Sequence, residues 1–160
     1  MIRSVQTDDA FEICRIYNYY VENTIVTFQE EPVTIATMEN NIKTSKSHFP
    51  WLVYEESGEV LGYARAGRWS DKNAYRFTVE SSIYVDREVV GKGIGSKLYK
   101  VLLSRLEENE FHSVQALIAL PNPVSILLHE KLGFEKNAHF REVGFKFGKW
   151  VDVGCWEKLL

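Results

Sequence analysis

Hydrophobic and polar positions follow two different periods along the chain, and the changes of period predict its elements. Near the amino terminus, apolar residues recur at spacings of three and four, as on one face of a helix: Ala10, Ile13, Cys14, Tyr17 and Val21. A second helix is predicted after Pro32. Between the two helices, the β-branched run at residues 24–28 indicates a loop or a short strand.

From residue 51 the pattern changes to alternation, which is typical of strands. Two stretches, residues 51–56 and 59–64, flank a Ser-Gly pair and predict a hairpin. A further strand is predicted over residues 77–85, and its alternation puts Glu80 and Tyr84 on one face. The middle of the chain therefore predicts a sheet.

A glycine-containing loop joins this strand to a third helix. The helix is predicted to begin at Ser96, with leucines stacked on its buried face: Leu98, Leu102 and Leu106. Residues 114–120 then form a nearly all-apolar strand, as expected where both faces of a strand are covered. Asn122 can cap a following helix, Gly133 can end it, and residues 140–160 predict a closing pair of strands.

Composition and charge exclude several classes of function. The chain has 160 residues and a net charge of −3, which fits one globular domain without the broad basic field of a nucleic-acid-binding protein. The sequence contains no apolar stretch near the roughly 20 residues that cross a bilayer, and it begins without signal-peptide features. We therefore expect a cytoplasmic protein with neither a nucleic-acid nor a membrane partner. Cys14 and Cys155 form no metal-ligand spacing, and no metal is predicted.

Gly91, Gly93 and Gly95 alternate in the loop before the predicted helix at Ser96. Glycines let backbone amides approach an anion, and a helix amino terminus attracts negative charge. Basic residues surround this loop in an otherwise acidic chain: Arg87, Lys92, Lys97 and Lys100. A polyanionic cofactor is the favoured interpretation, although turn geometry alone also accounts for glycines here. The spacing matches neither a Walker A loop nor a dinucleotide-binding motif.

The glycine loop, its helix and residues 122–134 resemble the acetyl-CoA motif of the GNAT superfamily of N-acetyltransferases. The loop glycines fit the motif, whereas Val90 stands in place of its leading Gln or Arg, and His129 stands where the family usually has Tyr. Several separated segments further resemble phosphinothricin and methionine sulfoximine N-acetyltransferases: residues 26–28, 73–75, 78–81, 128–130 and 144–154. The resemblance spans nearly the whole chain and implies an α/β (α+β) fold, with one domain over residues 1–160 and a mixed central sheet flanked by helices.

The resemblance also implies an activity, namely acetyl transfer from acetyl-CoA to the α-amino group of a small amino acid-like substrate. Because neither cysteine fits a nucleophile beside a base, direct attack in a ternary complex is favoured over an acetyl-enzyme. It marks Glu80 as the general base, acting through water, against the alternative of a solvated strand carboxylate. His129 is either a proton donor to the sulfur or a helper in deprotonating the amine, against the alternative of a packed core histidine. The residues expected to bind acetyl-CoA are Ile83, Tyr84, Val85, Val90, Gly91, Lys92, Gly93, Ile94, Gly95, Ser96, Asn122 and Ser125.

An acceptor with a carboxylate and an oxyanionic tail needs a cation and an apolar wall. Arg76 is the first candidate for the carboxylate, with Arg65 and Arg68 as further cations. The remaining candidates for the substrate site are Phe28, Trp69, Tyr75 and Thr78. The resemblance further implies a homodimer. Other amine acceptors (a polyamine, an aminoglycoside or a protein amino terminus) and a non-catalytic acetyl-CoA-binding module stay open as alternatives.

Overall fold

A twisted sheet forms the centre of the protein in the computed structural model, which describes residues 1–45 and 47–160. Within these residues the strands, in chain order, are β1 (Ile2–Ser4), β2 (Trp51–Glu56), β3 (Glu59–Arg68), β4 (Thr78–Val85), β5 (Ser113–Ala119), β6 (Glu135–Lys146) and β7 (Lys149–Leu159). Across the sheet the order is β1-β2-β3-β4-β5-β7-β6. The β4–β5 pair is parallel and the other neighbours are antiparallel, so the sheet is mixed.

Helices cover both faces of this sheet. Those in the described chain are α1 (Ala10–Asn23), α2 (Ile35–Thr44), α3 (Ile94–Glu108) and α4 (Pro123–Lys131). Adjacent residues of β2 show the two layers, because Val53 is buried in one cluster with α1 and α2 whereas Leu52 is buried in the other with α3. This architecture confirms the predicted α/β fold. None of the helices in the described residues is long and apolar enough to span a membrane.

Local sequence signals set several element boundaries. The side chain of Asn122 accepts a hydrogen bond from the backbone amide of Ser125 at 3.1 Å, which caps α4, and Gly133 follows the helix with a φ of +84°. The start predicted for α3 was wrong by two residues, because Gly93 adopts a left-handed conformation and α3 begins at Ile94. Residues 24–28 form a loop between α1 and α2.

The sheet opens between β4 and β5. These strands pair only over Thr78–Ser113, Val79–Val114 and Glu80–Gln115. Beyond Glu80, β4 continues to pair with β3 as far as Val85, and β5 continues to pair with β7. One edge of the second half of β4 therefore faces an opening, while its other edge remains in the sheet.

Candidate active site

The opening between β4 and β5 contains a cavity of about 240 Å³. Its lining comes from β4 from Glu80 onward, from the carboxyl half of β5, from β7, from α4 and its cap, and from the loop that follows α1. The residues of the predicted site that the structure brings together at this cavity are Phe28, Glu80, Ile83, Tyr84, Asn122, Ser125 and His129.

Glu80 lies at the last position where β4 pairs with β5, directly at the opening. Its partner on β3 is Gly67, which has no side chain that could cover the carboxylate of Glu80. Burial raises the pKa of Glu80, and the positive charge of Arg65 lowers it in part. A carboxylate with a raised pKa binds a proton more readily, so Glu80 is a stronger base than an ordinary surface carboxylate.

His129 is 3% exposed and is hydrogen-bonded through both ring nitrogens. Its Nδ1 lies 2.7 Å from the carbonyl oxygen of Ser125, and its Nε2 lies 3.1 Å from the hydroxyl of Tyr99. Burial lowers the pKa of His129, which favours the neutral ring at neutral pH. Because a carbonyl oxygen only accepts, Nδ1 carries the proton in the neutral ring, and Nε2 accepts the hydrogen bond from Tyr99.

The hydroxyl of Tyr99 also forms a hydrogen bond with Oγ of Ser81. Ser81, Tyr99 and His129 therefore form a continuous hydrogen-bonded chain, and its two end residues line the cavity. Neither Ser81 nor Tyr99 was predicted from the sequence as a site residue. A signal was available for Tyr99, since a tyrosine on the leucine-lined face of a helix is buried and its hydroxyl then needs a partner.

The glycine loop leaves open space beside its backbone. Gly91 and Gly93 have φ values of +89° and +80°, and a Cβ atom at either would have no neighbour within 4 Å. Gly93 precedes the first residue of α3, Ile94. The first amides of a helix have no acceptor within the helix, so this loop can bind a diphosphate group. Gly95 faces the other way, because a Cβ there would lie 3.5 Å from Leu128 of α4.

The free edge of β4 continues toward this loop from Ser81 to Val85. An extended chain can pair with such an edge as an added strand does. At Val85 the carbonyl oxygen already accepts a hydrogen bond of 2.6 Å from the hydroxyl of Tyr20. The strand edge and the glycine loop together fit a ligand with an extended arm joined to a diphosphate, as in acetyl-CoA.

Four residues predicted for the substrate site lie outside the lining of this cavity. Thr78 begins β4 and pairs with β5 before the opening. Tyr75 ends a short 3-10 turn and is 45% exposed, and the guanidinium of Arg76 lies 4.4 Å over the ring of Phe77. Trp69 follows β3 directly. These four residues are grouped at the amino-terminal end of β4 and in the segment before it.

Cysteine chemistry has no place at the cavity. Cys14 and Cys155 are buried free thiols, and burial raises the pKa of each. A raised pKa keeps a thiol protonated and therefore unreactive. Among the described residues, no three His, Cys, Asp or Glu side chains are grouped to bind a metal ion.

A parallel strand pair that opens beside a glycine loop and a helix amino terminus is the arrangement of an acyl-CoA-dependent transferase. Residues 2–154 match the family model described as the acetyltransferase (GNAT) domain, and the chain belongs to this family of acetyltransferases. The predicted family is thereby confirmed.

Individual relatives agree over nearly the whole chain. It is 41% identical over 157 residues to phosphinothricin N-acetyltransferase of Streptomyces viridochromogenes, covering 98% of this chain and 86% of the relative. It is 39% identical over 154 residues to L-methionine sulfoximine/L-methionine sulfone acetyltransferase of Pseudomonas aeruginosa, covering 95% of this chain and 90% of the relative. The crystal structure of a GNAT superfamily phosphinothricin acetyltransferase from Sinorhizobium meliloti in complex with acetyl-CoA has a TM-score of 0.95 and 36% identity, covering 100% of this chain and 88% of that one.

Proposed function

We propose that this acetyltransferase acts on the α-amino group of a small amino acid-like substrate, such as phosphinothricin, methionine sulfoximine or methionine sulfone. The observation that carries the proposal is the opening of the sheet at Glu80, since a base and a free strand edge then meet at one cavity, and the same strand leads on to the glycine loop. The named activities of the relatives from Streptomyces viridochromogenes and Pseudomonas aeruginosa support this class of acceptor.

In this proposal, acetyl-CoA is bound along the free edge of β4 and at the glycine loop. Bound acetyl-CoA supplies an activated acetyl group and a thiol leaving group. The edge at residues 83–85 orients the extended arm, and the amides of residues 91–96, preceded by the exposed side chain of Val90, bind the diphosphate. Asn122 and Ser125, at the start of α4, contact the same ligand from the other side of the opening.

Glu80 removes a proton from the substrate ammonium through water. An amino group of this kind has a pKa of about 8 and a carboxyl group one of about 4, so the transfer is uphill for an exposed carboxylate. The raised pKa of Glu80 narrows this gap and makes the side chain a more effective base. Its position at the edge of the opening leaves it accessible to the acceptor.

His129 takes the second of the two roles left open above, which is help in deprotonating the amine. The neutral ring has a proton only on Nδ1, and Nδ1 donates it in a hydrogen bond to the carbonyl oxygen of Ser125. The ring therefore has no further proton to donate to the sulfur. The lone pair of Nε2 can accept the proton of the Tyr99 hydroxyl. The oxygen of Tyr99 then takes the hydroxyl proton of Ser81, and the oxygen of Ser81 takes a proton from the cavity. The chain thus takes one amine proton while each oxygen keeps one hydrogen. The proton taken by Glu80 would pass through water to the coenzyme A thiolate, so that the products are the acetylated amine, the thiol and one released proton.

The acceptor is assigned to the side of the cavity formed by Phe28. Its carboxylate is assigned to Arg76, and Arg65 is the cation whose charge acts on Glu80. Trp69, Tyr75 and Thr78 lie outside the lining of the cavity, as Arg76 does, and are proposed to contact the acceptor from the segment that leads into β4 and from the start of β4. Loss of the Arg76 charge should therefore weaken the binding of amino acid acceptors and not of simple amines.

We also propose that the protein is a cytoplasmic homodimer whose reaction needs no metal. Two buried free cysteines are usual in a reducing compartment, which supports the location. The β6–β7 hairpin supports a dimer because it exposes large apolar side chains: Phe140, Val143, Phe145, Phe147 and Trp150. Turnover that persists after treatment with a chelator would agree with proton transfer by Glu80 and His129 alone.

The proposed function is tested by thiol release from acetyl-CoA with a panel of amines. Phosphinothricin, methionine sulfoximine and methionine sulfone should turn over at least about a hundredfold more efficiently than spermidine, an aminoglycoside or an alanine-terminated peptide, a discrimination that buried hydrogen-bonding groups can supply. Equal or better turnover of one of these other amines would move the function to that acceptor. A shift in melting temperature with coenzyme A, but no turnover of any amine, would indicate a binding module.

A further inference from the structure

A buried lysine holds the loop that follows α1. Lys146, at the end of β6, is 2% exposed, which is rare for a lysine. Its Nζ donates hydrogen bonds to three carbonyl oxygens, those of Val21 at 2.7 Å, Thr24 at 2.8 Å and Thr27 at 2.8 Å. These bonds use all three hydrogens of the ammonium group, so the buried charge is fully hydrogen-bonded.

The three carbonyls belong to one continuous part of the backbone. Val21 lies in the last turn of α1, where carbonyls lack helical partners and a cation is favourable. Thr24 and Thr27 lie in the loop itself. One side chain therefore fixes the end of the helix to the beginning and the middle of the loop.

A second contact from β6 fixes the same loop. A Cβ atom at Gly144 would lie 2.2 Å from Cζ of Phe28, so the phenyl ring occupies the space that any side chain at position 144 would fill. Gly144 and Lys146 are two residues apart on one strand and thus face the same side. The hydroxyl of Tyr17 adds a hydrogen bond of 2.9 Å to Oγ1 of Thr27.

Three residues of this loop line the cavity: Val26, Thr27 and Phe28. Lys146 does not line it and therefore acts through the loop. We infer that Lys146 and Gly144 are positioning residues. They fix residues 26–28, which form the acceptor side of the cavity, and so set the affinity for the acceptor. This inference rests on the proposed function. Glu80 and the glycine loop lie on other elements, and their roles are left unchanged.

The test replaces Lys146 with methionine, which has a similar length but donates no hydrogen bond. Lys146→Met should raise the acceptor KM at least about tenfold while kcat changes less than about threefold, which is the signature of lost binding rather than lost chemistry. The Kd of acetyl-CoA, measured by calorimetry, should not change. Lys43→Met is the matched control, because Lys43 is an exposed lysine of α2 whose nearest carboxylate, of Glu39, is 3.7 Å away; its kinetic constants should remain those of the wild type.

Two further variants keep the inference falsifiable if Lys146→Met does not fold. Gly144→Ala displaces the ring of Phe28 without touching the lysine and should raise the acceptor KM in the same way. Lys146→Arg keeps a cationic donor and should fall between the wild type and Lys146→Met. Hydrogen–deuterium exchange of the amides at residues 24–28, read without acceptor, should be faster in Lys146→Met than in the wild type.

An unchanged acceptor KM in a folded Lys146→Met variant overturns the inference. So does a lower melting temperature without a change in KM, because that result assigns to Lys146 a role in stability alone. If the wild type acetylates none of the panel, the proposed function fails and the acceptor role of Lys146 fails with it. The exchange experiment still decides in that case whether the lysine holds the loop.

Discussion

Burial shifts the pKa values of Glu80 and His129, both in the lining of the cavity, in opposite directions. It raises the pKa of Glu80 and lowers the pKa of His129, because in each case it disfavours the charged form. The shift brings the pKa of Glu80 closer to that of an amine, whereas it takes the pKa of His129 further below that of an amine and keeps the ring neutral at neutral pH. Shifted pKa values of this kind cluster at active sites.

Glu80→Gln should reduce activity and increase stability. We expect kcat to fall by about a hundredfold to ten-thousandfold, as for loss of a general base, with the Kd of acetyl-CoA unchanged. The folded-state pKa of Glu80 is raised above 4.5, so ionisation destabilises the native state at neutral pH, and this cost disappears as the pH falls through the folded pKa toward 4.5. Scanning calorimetry should show a higher melting temperature for the variant at neutral pH and equal values near pH 4. Wild-type kcat in Glu80→Gln would exclude Glu80 as the base.

Tyr99→Phe should interrupt the hydrogen-bonded chain without changing the shape of the core. The variant leaves Nε2 of His129 buried without its donor, which costs about 1 to 3 kcal/mol of stability. It should also lower kcat with little change in either KM, because Tyr99 itself does not line the cavity. Tyr54→Phe is a suitable control, since the Tyr54 hydroxyl makes only an exposed hydrogen bond of 3.4 Å to Glu56. Equal rates for the two variants would argue against proton movement through Tyr99.

At the scale of elements, the sequence predicts those features of helices and strands that depend on residues close together in the chain. The face of α3 follows from leucines at spacings of four, and Leu98, Leu102 and Leu106 are each 0% exposed. The cap at Asn122 likewise depends on an amide three residues away. The end of β4–β5 pairing has no such local signal, because alternation continues through β4 whether or not a neighbouring strand is present.

Contacts between distant parts of the chain determine the features of the site that the sequence does not predict. Lys146 binds a carbonyl 125 positions earlier, and nothing in the sequence around it indicates burial. Trp69, Tyr75 and Arg76 have suitable chemistry for an acceptor site, but residue type alone cannot show that they lie outside the lining of the β4–β5 cavity. The sequence shows which residue types could bind an acceptor. It does not show which loop lines the cavity, because tertiary contacts determine the position of that loop.

Replacing a glycine of the loop should weaken the binding of acetyl-CoA, and the chain offers a matched control. Gly93 and Gly58 have φ values of +80° and +85°, and a Cβ atom at either would have no neighbour within 4 Å. Alanine should therefore cause a similar backbone strain at both, about 1 to 2 kcal/mol. Only Gly93 precedes α3, so Gly93→Ala should raise the Kd of acetyl-CoA at least about tenfold in calorimetry, whereas Gly58→Ala should bind as the wild type does. Equal affinities would show that the loop does not bind the diphosphate.

At the scale of the whole molecule, the β6–β7 hairpin exposes several large apolar side chains. Phe145 and Trp150 are 53% and 65% exposed, and their rings lie 4.9 Å apart on one side of the hairpin. The other side of the same strand carries Gly144 and the buried Lys146. A partner that covers the aromatic side would thus also rigidify the strand that holds the acceptor loop.

Trp150→Glu should convert the proposed dimer into a monomer. A charged side chain in the centre of an apolar interface is costly to bury, whereas it is freely solvated on a monomer. Sedimentation equilibrium should give about twice 18.5 kDa for the wild type and 18.5 kDa for the variant. Phe11→Glu, at an exposed phenylalanine of α1, controls for the added charge. A wild type that sediments as a monomer would contradict the proposed assembly.

The early end of β4–β5 pairing has a consequence for how long the enzyme survives. A thioester carrier that occupies this gap binds only the native chain, and saturation about a hundredfold above Kd contributes about 2.7 kcal/mol against unfolding. Heat tolerance and resistance to proteases should therefore rise with the concentration of the carrier, and they should fall when the carrier is removed.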